Sequence, residues 1–279
     1  MKYTLGIDVG GTTTKIVGFQ EETLIGSAKA SATDPTASLY GAFGKFTSEH
    51  GIGIGDIERV MLTGVGSSFV KEKIYGIPTG IVTEFSSTGL GGLYLSGRES
   101  GIVCSIGTGT AFVYADKNSA RHLGGTGVGG GTLQGLADKL INVHKFKNIV
   151  DMAKEGDLGN IDLRIGDISQ SIDSTLDLTM TAANFGNVSD MATKSDLALG
   201  IINLVVETIS MMAVFAVRER EDKNVVLTGT LVTQRLLGDA FRHLSEILDV
   251  NFIIPDKAEY ATAVGASLAH RRGWEYTEL

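Results

Sequence analysis

GIDVGGTTTKIV, residues 6–17, is the stretch that decides the predicted fold. A strand-like apolar run reaches Asp8, a turn of two glycines and three threonines follows, and Lys15 leads into a second apolar run. Glycine leaves backbone N–H groups unblocked and threonine adds hydroxyls, so such a turn suits an anion, phosphate above all. The turn leads into a strand and not into a helix, and GxxxxGK[ST] occurs nowhere in the chain. The stretch therefore predicts a phosphate-binding hairpin that is not a P-loop.

About a hundred residues later the same pattern returns. VCSIGTGTAFVY, residues 103–114, again places a Gly-Thr turn between two apolar strands, and LGGTGVGGG follows at 123–131. A single glycine-rich hairpin is as often only a tight β-turn. Two matched hairpins favour the phosphate interpretation and predict two similar halves, assigned to residues 1–98 and 99–279.

The order of the elements follows from apolar runs and from the glycines and prolines between them. Strands are predicted at 3–7, 14–19 and 23–29, and Pro35 and Gly51 frame a helix. The remaining predictions are a strand at 57–64, a short helix at 67–76, a strand at 80–84, a helix at 87–99, two strands across 101–116, a glycine loop leading into a helix across 121–144, a helix at 196–220, a strand at 224–229, a helix at 231–248, a strand at 251–255 and a helix at 258–272.

Composition narrows the classes of partner. A net charge of -8 and a pI near 5.2 argue against sequence-independent binding to nucleic acid. One cysteine, Cys104, excludes a disulfide or a cysteine-based metal site within one chain, which fits a reducing cytoplasm. The N-terminus lacks a signal-peptide pattern, and no apolar run is expected to reach the length of a membrane span. We expect a cytoplasmic protein whose partners are small molecules.

Two carboxylates and a lysine are candidates for the chemistry. Asp8 beside the first turn could hold Mg²⁺ and its waters between phosphates, or could form an Asx turn to the glycine amides. Lys15 could steady phosphate charge or extend off its strand into solvent. Glu84, between a strand and a helix, could accept a proton from an attacking hydroxyl, although its local pattern is more typical of an acidic residue at a helix N-terminus.

Several motifs carry a family resemblance. DVGGTTTK, the paired Gly-Thr turns and VVLTGTL resemble the phosphate and adenosine motifs of the sugar-kinase, heat-shock protein and actin superfamily. That resemblance implies an α/β fold of two RNase H-like halves, actin- or hexokinase-type, with mixed sheets flanked by helices and an ATP cleft between them. VTEFSSTGLG, LGGTGVGGGTLQGL, DMAKEGDLGNIDL, LTMTAANFGN and AVGASL, in this order, resemble bacterial type II pantothenate kinases more narrowly.

The narrower resemblance implies an activity and a set of site residues. The activity is ATP- and Mg²⁺-dependent phosphorylation of pantothenate, with pantetheine as a further acceptor, by a homodimer. Glu84 matches the catalytic base and also contacts the substrate. The residues implied to bind nucleotide are Asp8 (through Mg²⁺ and water), Gly10, Gly11, Thr12, Thr13, Lys15, Thr108, Gly130, Gly131, Thr132, Leu133, Gln134, Phe146 and Thr230. The residues implied to bind the acceptor, besides Glu84, are Gly109, Thr110, Arg121 and His122.

Two departures from the family pattern affect these roles. The family has an Arg-Arg pair before the glycine loop, whereas this chain has Arg121-His122, and the position that contacts substrate falls on His122. Either Arg121 turns toward the acceptor carboxylate, or a His122 contact suffices, or both lie on a loop surface. The second phosphate motif carries Ser105 where a relative such as actin has aspartate.

Three alternatives remain open from the sequence. A sugar or N-acetylhexosamine kinase of the same superfamily is one. An activator ATPase of acyl-CoA dehydratases is another, but it would need cysteines for an iron–sulfur cluster, and Cys104 lies in a predicted strand. A nucleotide-dependent scaffold or sensor that hydrolyses ATP slowly is the third.

Overall fold

The computed structural model describes residues 2–11, 13–31, 33–169 and 177–279. In the first part of the chain, the elements are β1 (Tyr3–Val9), β2 (Thr14–Gln20), β3 (Thr23–Ala30), α1 (Pro35–His50), β4 (Ile57–Thr63), β5 (Thr79–Ile81) and α2 (Glu84–Ser96). They are followed by β6 (Gly101–Ile106), β7 (Thr110–Ala115), β8 (Ala120–Thr126), α3 (Gly130–Ile141), α4 (Phe146–Ala153), β9 (Leu163–Arg164), α5 (Ile165–Ile168) and β10 (Thr181–Ala183). The last elements are α6 (Lys194–Val217), β11 (Asn224–Thr228), α7 (Arg235–Ile247), β12 (Asn251–Ile253), α8 (Ala261–Ala269) and β13 (Thr277–Glu278).

Two mixed sheets share one topology, which confirms the predicted fold class. The first sheet has the order β13-β5-β4-β1-β2-β3, and the second has the order β12-β11-β6-β7-β8. In each, an antiparallel meander (β1-β2-β3 or β6-β7-β8) is extended by parallel strands beside its first member (β4 and β5, or β11 and β12). We call the two sheets, with the helices packed on them, the first and second lobes.

Helix α1 illustrates how local sequence sets an element. Asp34 Oδ1 accepts a hydrogen bond from the Ala37 amide at 2.6 Å, and Pro35 occupies the first helical position. Gly51, with φ of 64°, ends the helix in the left-handed conformation that glycine adopts readily. The prediction of a helix framed by Pro35 and Gly51 is confirmed.

Helices α2 and α8 pass between the two sheets and lie backbone to backbone. A Cβ on Gly91 of α2 would lie 1.7 Å from the Ala261 carbonyl oxygen, and one on Gly265 of α8 would lie 1.8 Å from the Ser87 carbonyl oxygen. Helix α8 packs on β1, β2 and β4 of the first sheet, and α2 packs on β6, β7 and β8 of the second. The chain therefore returns to the first lobe at its end, where β13 pairs with β5. The division at residue 98 stays a prediction.

Several sequence predictions were wrong in detail. Residues 67–76 do not form one helix: two 3₁₀ turns occupy Val65–Phe69 and Ile74–Gly76, and Tyr75 has a φ of 50°, which an α-helix does not accommodate. The strand predicted to reach residue 84 ends at Ile81, so Glu84 begins α2. Residues 120–126 form β8 and not a loop.

Helix α6 corrects the expectation about apolar runs. It has 24 residues, with a mean hydropathy of 2.0 over its most apolar window, and so reaches the length and composition of a membrane span. Half of that window is buried inside the protein. Ile201, Val205 and Ile209 lie in the core of the second lobe, so α6 serves there as a core helix.

Candidate functional site

Asp8 lies at the end of β1 on the face that is turned toward α8. Its cross-strand neighbours are Lys15 on β2 and Thr63 on β4. Gly64 follows Thr63 with a φ of 83°, and a Cβ there would lie 2.5 Å from Asp8 Oδ1. The carboxylate thus rests against bare backbone, which only glycine at position 64 permits.

The surroundings of Asp8 change its titration. Burial is the main cause that raises the pKa of Asp8 to about 6; Lys15 opposes this rise, and the negative charge of Glu84 adds to it. Coulombic coupling of this kind requires short separations. Asp8, Lys15 and Glu84 are therefore coupled electrostatically, and their roles toward a ligand stay predictions.

Glu84 occupies the first position of α2 and is exposed. Thr83 caps the helix, and its Oγ1 accepts a hydrogen bond from the Ser86 amide at 3.3 Å. The next residue, Phe85, stacks on His122 of β8 with ring centroids 4.1 Å apart and planes 10° apart. The first turn of α2 thus meets both lobes, with Glu84 coupled to Asp8 of the first and Phe85 in contact with His122 of the second.

The Gly-Thr turn that joins β1 to β2 is compact apart from one open side. A Cβ on Gly10 would lie 2.7 Å from the Thr13 carbonyl oxygen, whereas Gly11 faces open space. Thr13 Oγ1 lies 3.3 Å from the Oγ of Ser31, the residue that follows β3, and this contact orients the hydroxyl. Thr12, a predicted nucleotide contact, lies outside the described residues. The open side of Gly11 leaves room for a ligand to approach the backbone.

The glycine segment, residues 127–131, leads into α3, whose first residue is Gly130, and it is fastened to the second Gly-Thr turn. The amides of Gly130 and Gly131 donate to the carbonyl oxygens of Gly107 and Thr108, both at 2.8 Å. A Cβ on Gly131 would lie 2.8 Å from Thr108 Cγ2, so these glycines permit close packing. The two amides are thus engaged within the protein and are not free donors for phosphate. Thr108 itself is exposed at the turn.

Of the three predicted nucleotide-binding residues at 132–134, two are engaged within the protein and one is exposed. Leu133 is fully buried in the core of the second lobe, and its amide donates to Gly129, so it positions α3 and offers nothing to a ligand. Thr132 Oγ1 donates to the Gly127 carbonyl oxygen at 2.9 Å. Gln134 is exposed on the first turns of α3.

The predicted acceptor residues do not share one face. His122 lies opposite Val113 across β7 and β8, on the side that packs against α2, where a Cβ on Gly89 would contact Val113. Arg121 pairs with Tyr114 and points to the other side, because successive residues of a strand alternate. The structure therefore brings His122, and not Arg121, to the first turn of α2, where Phe85 contacts it.

Gly109 and Thr110 follow the second turn. A Cβ on Gly109 would lie 2.9 Å from the Thr126 carbonyl oxygen. Thr110 is buried, and its hydroxyl donates to the Val128 carbonyl oxygen at 2.8 Å. Both residues hold β7 against the glycine segment, and their contact with an acceptor stays a prediction.

The predicted adenosine residues lie in different surroundings. Thr230 precedes the 3₁₀ turn Leu231–Thr233, and Leu231 lies so close to the glycine segment that a Cβ on Gly130 would be 2.8 Å from its Cδ1. Phe146 begins α4 and packs, partly buried, against the core of the second lobe. Thr230 is therefore next to the glycine segment, and the role of Phe146 stays a prediction.

An equivalence between the lobes was missed in the sequence. β4 and β11 both end in Leu-Thr-Gly, at 62–64 and 227–229, and both glycines have a positive φ. Ser105 pairs with Thr228 as Asp8 pairs with Thr63. The second lobe thus carries a hydroxyl at the position where the first carries a carboxylate, and the repeated Leu-Thr-Gly was the signal that could have located Thr63 and Gly64.

These residues fit a magnesium ion that is held largely by phosphate and water. The part of the chain that the structure describes contains no cluster of three or more His, Cys, Asp or Glu side chains suited to a metal. Mg²⁺ bound with a nucleotide uses one or two carboxylates and keeps several waters. Asp8 supplies one carboxylate, and the buried Thr63 hydroxyl beside it has no hydrogen-bond partner among the residues that the structure describes.

Comparisons with known proteins agree with this arrangement. The Fumble family model matches residues 101–267. A type II pantothenate kinase of Staphylococcus aureus (strain USA300) is 34% identical over 239 residues, which is 81% of this chain and 84% of that protein. This chain belongs to the type II pantothenate kinase family. A second member of the family, from S. aureus (strain bovine RF122 / ET3-1), is 33% identical over the same shares.

Solved structures more distant than the type II pantothenate kinases share the fold. The activator of 2-hydroxyisocaproyl-CoA dehydratase from Clostridium difficile, with bound ADPNP, superposes with a TM-score of 0.69 at 20% identity, covering 97% of this chain and 96% of that one. A ROK family glucokinase from Streptomyces griseus, in complex with glucose and AMPPNP, gives 0.60 at 13% identity, covering 95% and 98%. The two-lobed fold is therefore common to this chain and these two proteins.

Proposed function

We propose that the protein transfers the terminal phosphoryl group of ATP to the primary hydroxyl of pantothenate, forming 4′-phosphopantothenate, the first step toward coenzyme A. The observation that carries this proposal is the first turn of α2. It presents Glu84 within electrostatic range of Asp8 on one lobe and contacts His122 on the other. The proposed general base, metal-side carboxylate and acceptor contact are thus linked through one turn of helix.

Glu84 is the proposed general base. Glu84 is exposed at the first position of α2, from which its side chain can reach the hydroxyl of an acceptor while the helix stays intact. In phosphoryl transfer the protein contributes mainly positioning and charge stabilisation, with the base accepting the hydroxyl proton as the new O–P bond forms. As the acceptor oxygen bonds to the terminal phosphorus, the bond from that phosphorus to the bridging oxygen breaks, ADP leaves with those electrons, and Glu84 holds the acceptor's proton.

The phosphates are proposed to lie against Gly10, Gly11 and Thr13 on one side and Thr108 on the other. Lys15 lies beside Asp8 in the sheet and supplies positive charge. Asp8 would hold Mg²⁺ through water, and the ion, when bound, would neutralise charge on the phosphate oxygens. Thr230 and Phe146 are proposed to contact the adenosine.

His122 is proposed to contact the carboxylate end of pantothenate, with Gly109 and Thr110 shaping the wall beside it. Support comes from the strand geometry, since His122 shares the α2 side of β8 whereas Arg121 points away. Imidazolium and imidazole N–H groups both donate to carboxylates. Pantetheine, which has a longer neutral end, is proposed as a second acceptor.

A substrate screen tests the activity. Purified protein with ATP and Mg²⁺ would be offered pantothenate, pantetheine, glucose and N-acetylglucosamine, with ADP release and product mass both measured. We expect ADP release to depend on pantothenate and to yield a product carrying one added phosphoryl group. Product from a hexose alone would assign the chain to the sugar kinases, and ADP release unaffected by every acceptor would assign it to the non-kinase ATPases.

We also propose a cytoplasmic homodimer that binds neither nucleic acid nor membrane. Support for the dimer comes from α6, on which Met211 and Phe215 are exposed one turn apart, Phe215 to 61%. Large apolar side chains that are exposed together on a core helix are typical of a protein interface. The acidic net charge supports the absence of nucleic acid.

A further inference from the structure

Phe85 is placed unusually for a large apolar side chain. It stands at the second position of α2, directly after Glu84, and 40% of it is exposed. Its ring lies nearly parallel to the imidazole of His122, 4.1 Å away between centroids. Burial alone does not explain this ring, because nearly half of it gains nothing from the core. Its described partner is a residue at the acceptor end of the proposed site.

The stack fixes an otherwise free side chain. His122 is exposed on β8, an edge strand of the second sheet, where an imidazole would sample several rotamers. A parallel aromatic contact restricts the ring plane, so less rotamer freedom is lost when a ligand binds. A protonated imidazole over the face of Phe85 also gains a cation–π attraction.

The charges around His122 come from few elements. Glu84 is the one charged residue of α2, and it lies next to Phe85. On β7, the residue opposite His122 is Val113, which is apolar, and Arg121 of its own strand points to the other side of the sheet. On the side of the sheet that His122 faces, α2 therefore contributes one charged residue, Glu84.

We propose that Phe85 is a positioning residue that holds His122 for the carboxylate of the acceptor, and that this pair makes the preference for an anionic over a neutral acceptor depend on pH. The inference rests on the proposed function. A guanidinium, which the family pattern has at this position, is always charged, whereas an imidazole carries its charge mainly in acidic solution. The acceptor carboxylate stays ionised throughout that range.

The test is the ratio of kcat/KM for pantothenate to kcat/KM for pantetheine, measured from about pH 5.5 to about pH 8.5. Taking a ratio removes the pH effects of Glu84, Asp8 and ATP, which both substrates share. We expect the ratio to fall by roughly tenfold with rising pH, since a charge-assisted hydrogen bond is replaced by a neutral one. We expect His122→Arg to keep a high ratio at every pH.

Variants of Phe85 separate positioning from folding. Phe85→Ala should raise KM for pantothenate several-fold at low pH, leave kcat and the KM for pantetheine nearly unchanged, and flatten the pH profile. Phe85→Tyr, which keeps a ring, should restore the profile. Ile54→Ala serves as the control for a general loss of stability. It removes another half-exposed apolar side chain, just before β4 and at the end of that strand away from Thr63.

The outcomes are distinct. A chain that phosphorylates neither pantothenate nor pantetheine overturns the proposed function, and this inference with it. A chain that is active on both, with a ratio that is independent of pH or unchanged by His122→Arg, overturns the inference alone. Equal losses with both substrates in Phe85→Ala, not restored by Phe85→Tyr, would assign Phe85 a structural role and also overturn it.

Discussion

Glu84 shows what a single residue's local sequence can and cannot establish. At the first position of a helix an acidic side chain is common, since it interacts favourably with the N-terminal end of the helix dipole. Its electrostatic effect on Asp8, whose pKa it raises, is visible only in the fold. Residue types at a strand end could therefore be predicted from sequence, but the coupling between β1 and α2 could not.

Replacing Glu84 with glutamine tests the proton acceptor directly. The side chain keeps its size but no longer binds a proton, so we expect kcat to fall by about 10² or more while ATP binding is retained. Steady-state kinetics and titration with a non-hydrolysable ATP analogue measure the two separately. Turnover equal to that of the unaltered enzyme would remove Glu84 from the mechanism.

Asp8 predicts two opposite pH effects. Its pKa is raised from 3.8 to about 6, so the folded state binds its proton more tightly than the unfolded state. Protonation of Asp8 therefore stabilises the folded, nucleotide-free protein. This contribution to the free energy of unfolding is complete below about pH 4 and is lost as the pH rises through about 6. Binding of Mg·ATP, which needs the ionised carboxylate, should instead strengthen over that same rise.

The variant Asp8→Asn separates these effects. It should raise the free energy of unfolding at neutral pH by on the order of 1 kcal/mol without nucleotide, because no charge is then buried. It should also weaken the dependence on magnesium and remove the pH dependence of Mg·ATP affinity between about pH 5 and 7. Denaturant melts and calorimetric titrations across that range would check both, and an unchanged magnesium requirement would contradict the metal role.

At the scale of elements, the fold was predictable where one segment carries its own signals. The Pro35 and Gly51 boundaries of α1 and the two Gly-Thr hairpins needed no distant partner. The predictions failed where tertiary contacts decide. β8 contains Gly124 and Gly125 and lies at a sheet edge, so its sequence resembled a loop; β13 is two residues long and exists only because β5 offers it an edge.

The crossing of α2 and α8 gives a prediction at this scale. Gly91→Ala or Gly265→Ala would place a methyl group less than 2 Å from a carbonyl oxygen of the other helix. Overpacking of this kind costs about 1–3 kcal/mol or more, so we expect a clear loss of unfolding free energy in denaturant titrations. Gly44→Ala in α1 is the matched control: a Cβ there meets nothing within 4 Å. This control should be neutral or stabilising by about 0.5–1 kcal/mol, and equal losses in all three variants would contradict the close crossing.

For the whole molecule, the repeated hairpin predicted two lobes, but the sequence did not reveal how they are joined. Helix α8 packs mainly on the first sheet, α2 packs mainly on the second, and the two pack on each other, so the connection is made by elements that are far apart in the chain. The stack of Phe85 on His122 and the hydrogen bond from Trp274 Nε1 to the Lys117 carbonyl oxygen, at 3.3 Å, also link distant segments. No local pattern encodes such contacts, because each joins residues that lie far apart in the chain.

The proposed dimer is the prediction at this largest scale. Met211 and Phe215 expose apolar surface on α6, whose other face already fills the core of the second lobe. Covering that surface with a second copy would bury it, at about 25 cal/mol for each Å² of apolar area. We expect Phe215→Glu to yield a monomer in sedimentation and light-scattering measurements, because a charge there would have to be desolvated at the interface. Phe69→Glu, a change at a similarly exposed residue of the first lobe, should remain dimeric. A dimer that persists in Phe215→Glu would place the interface elsewhere, and a native chain that sediments as a monomer would reject the dimer itself.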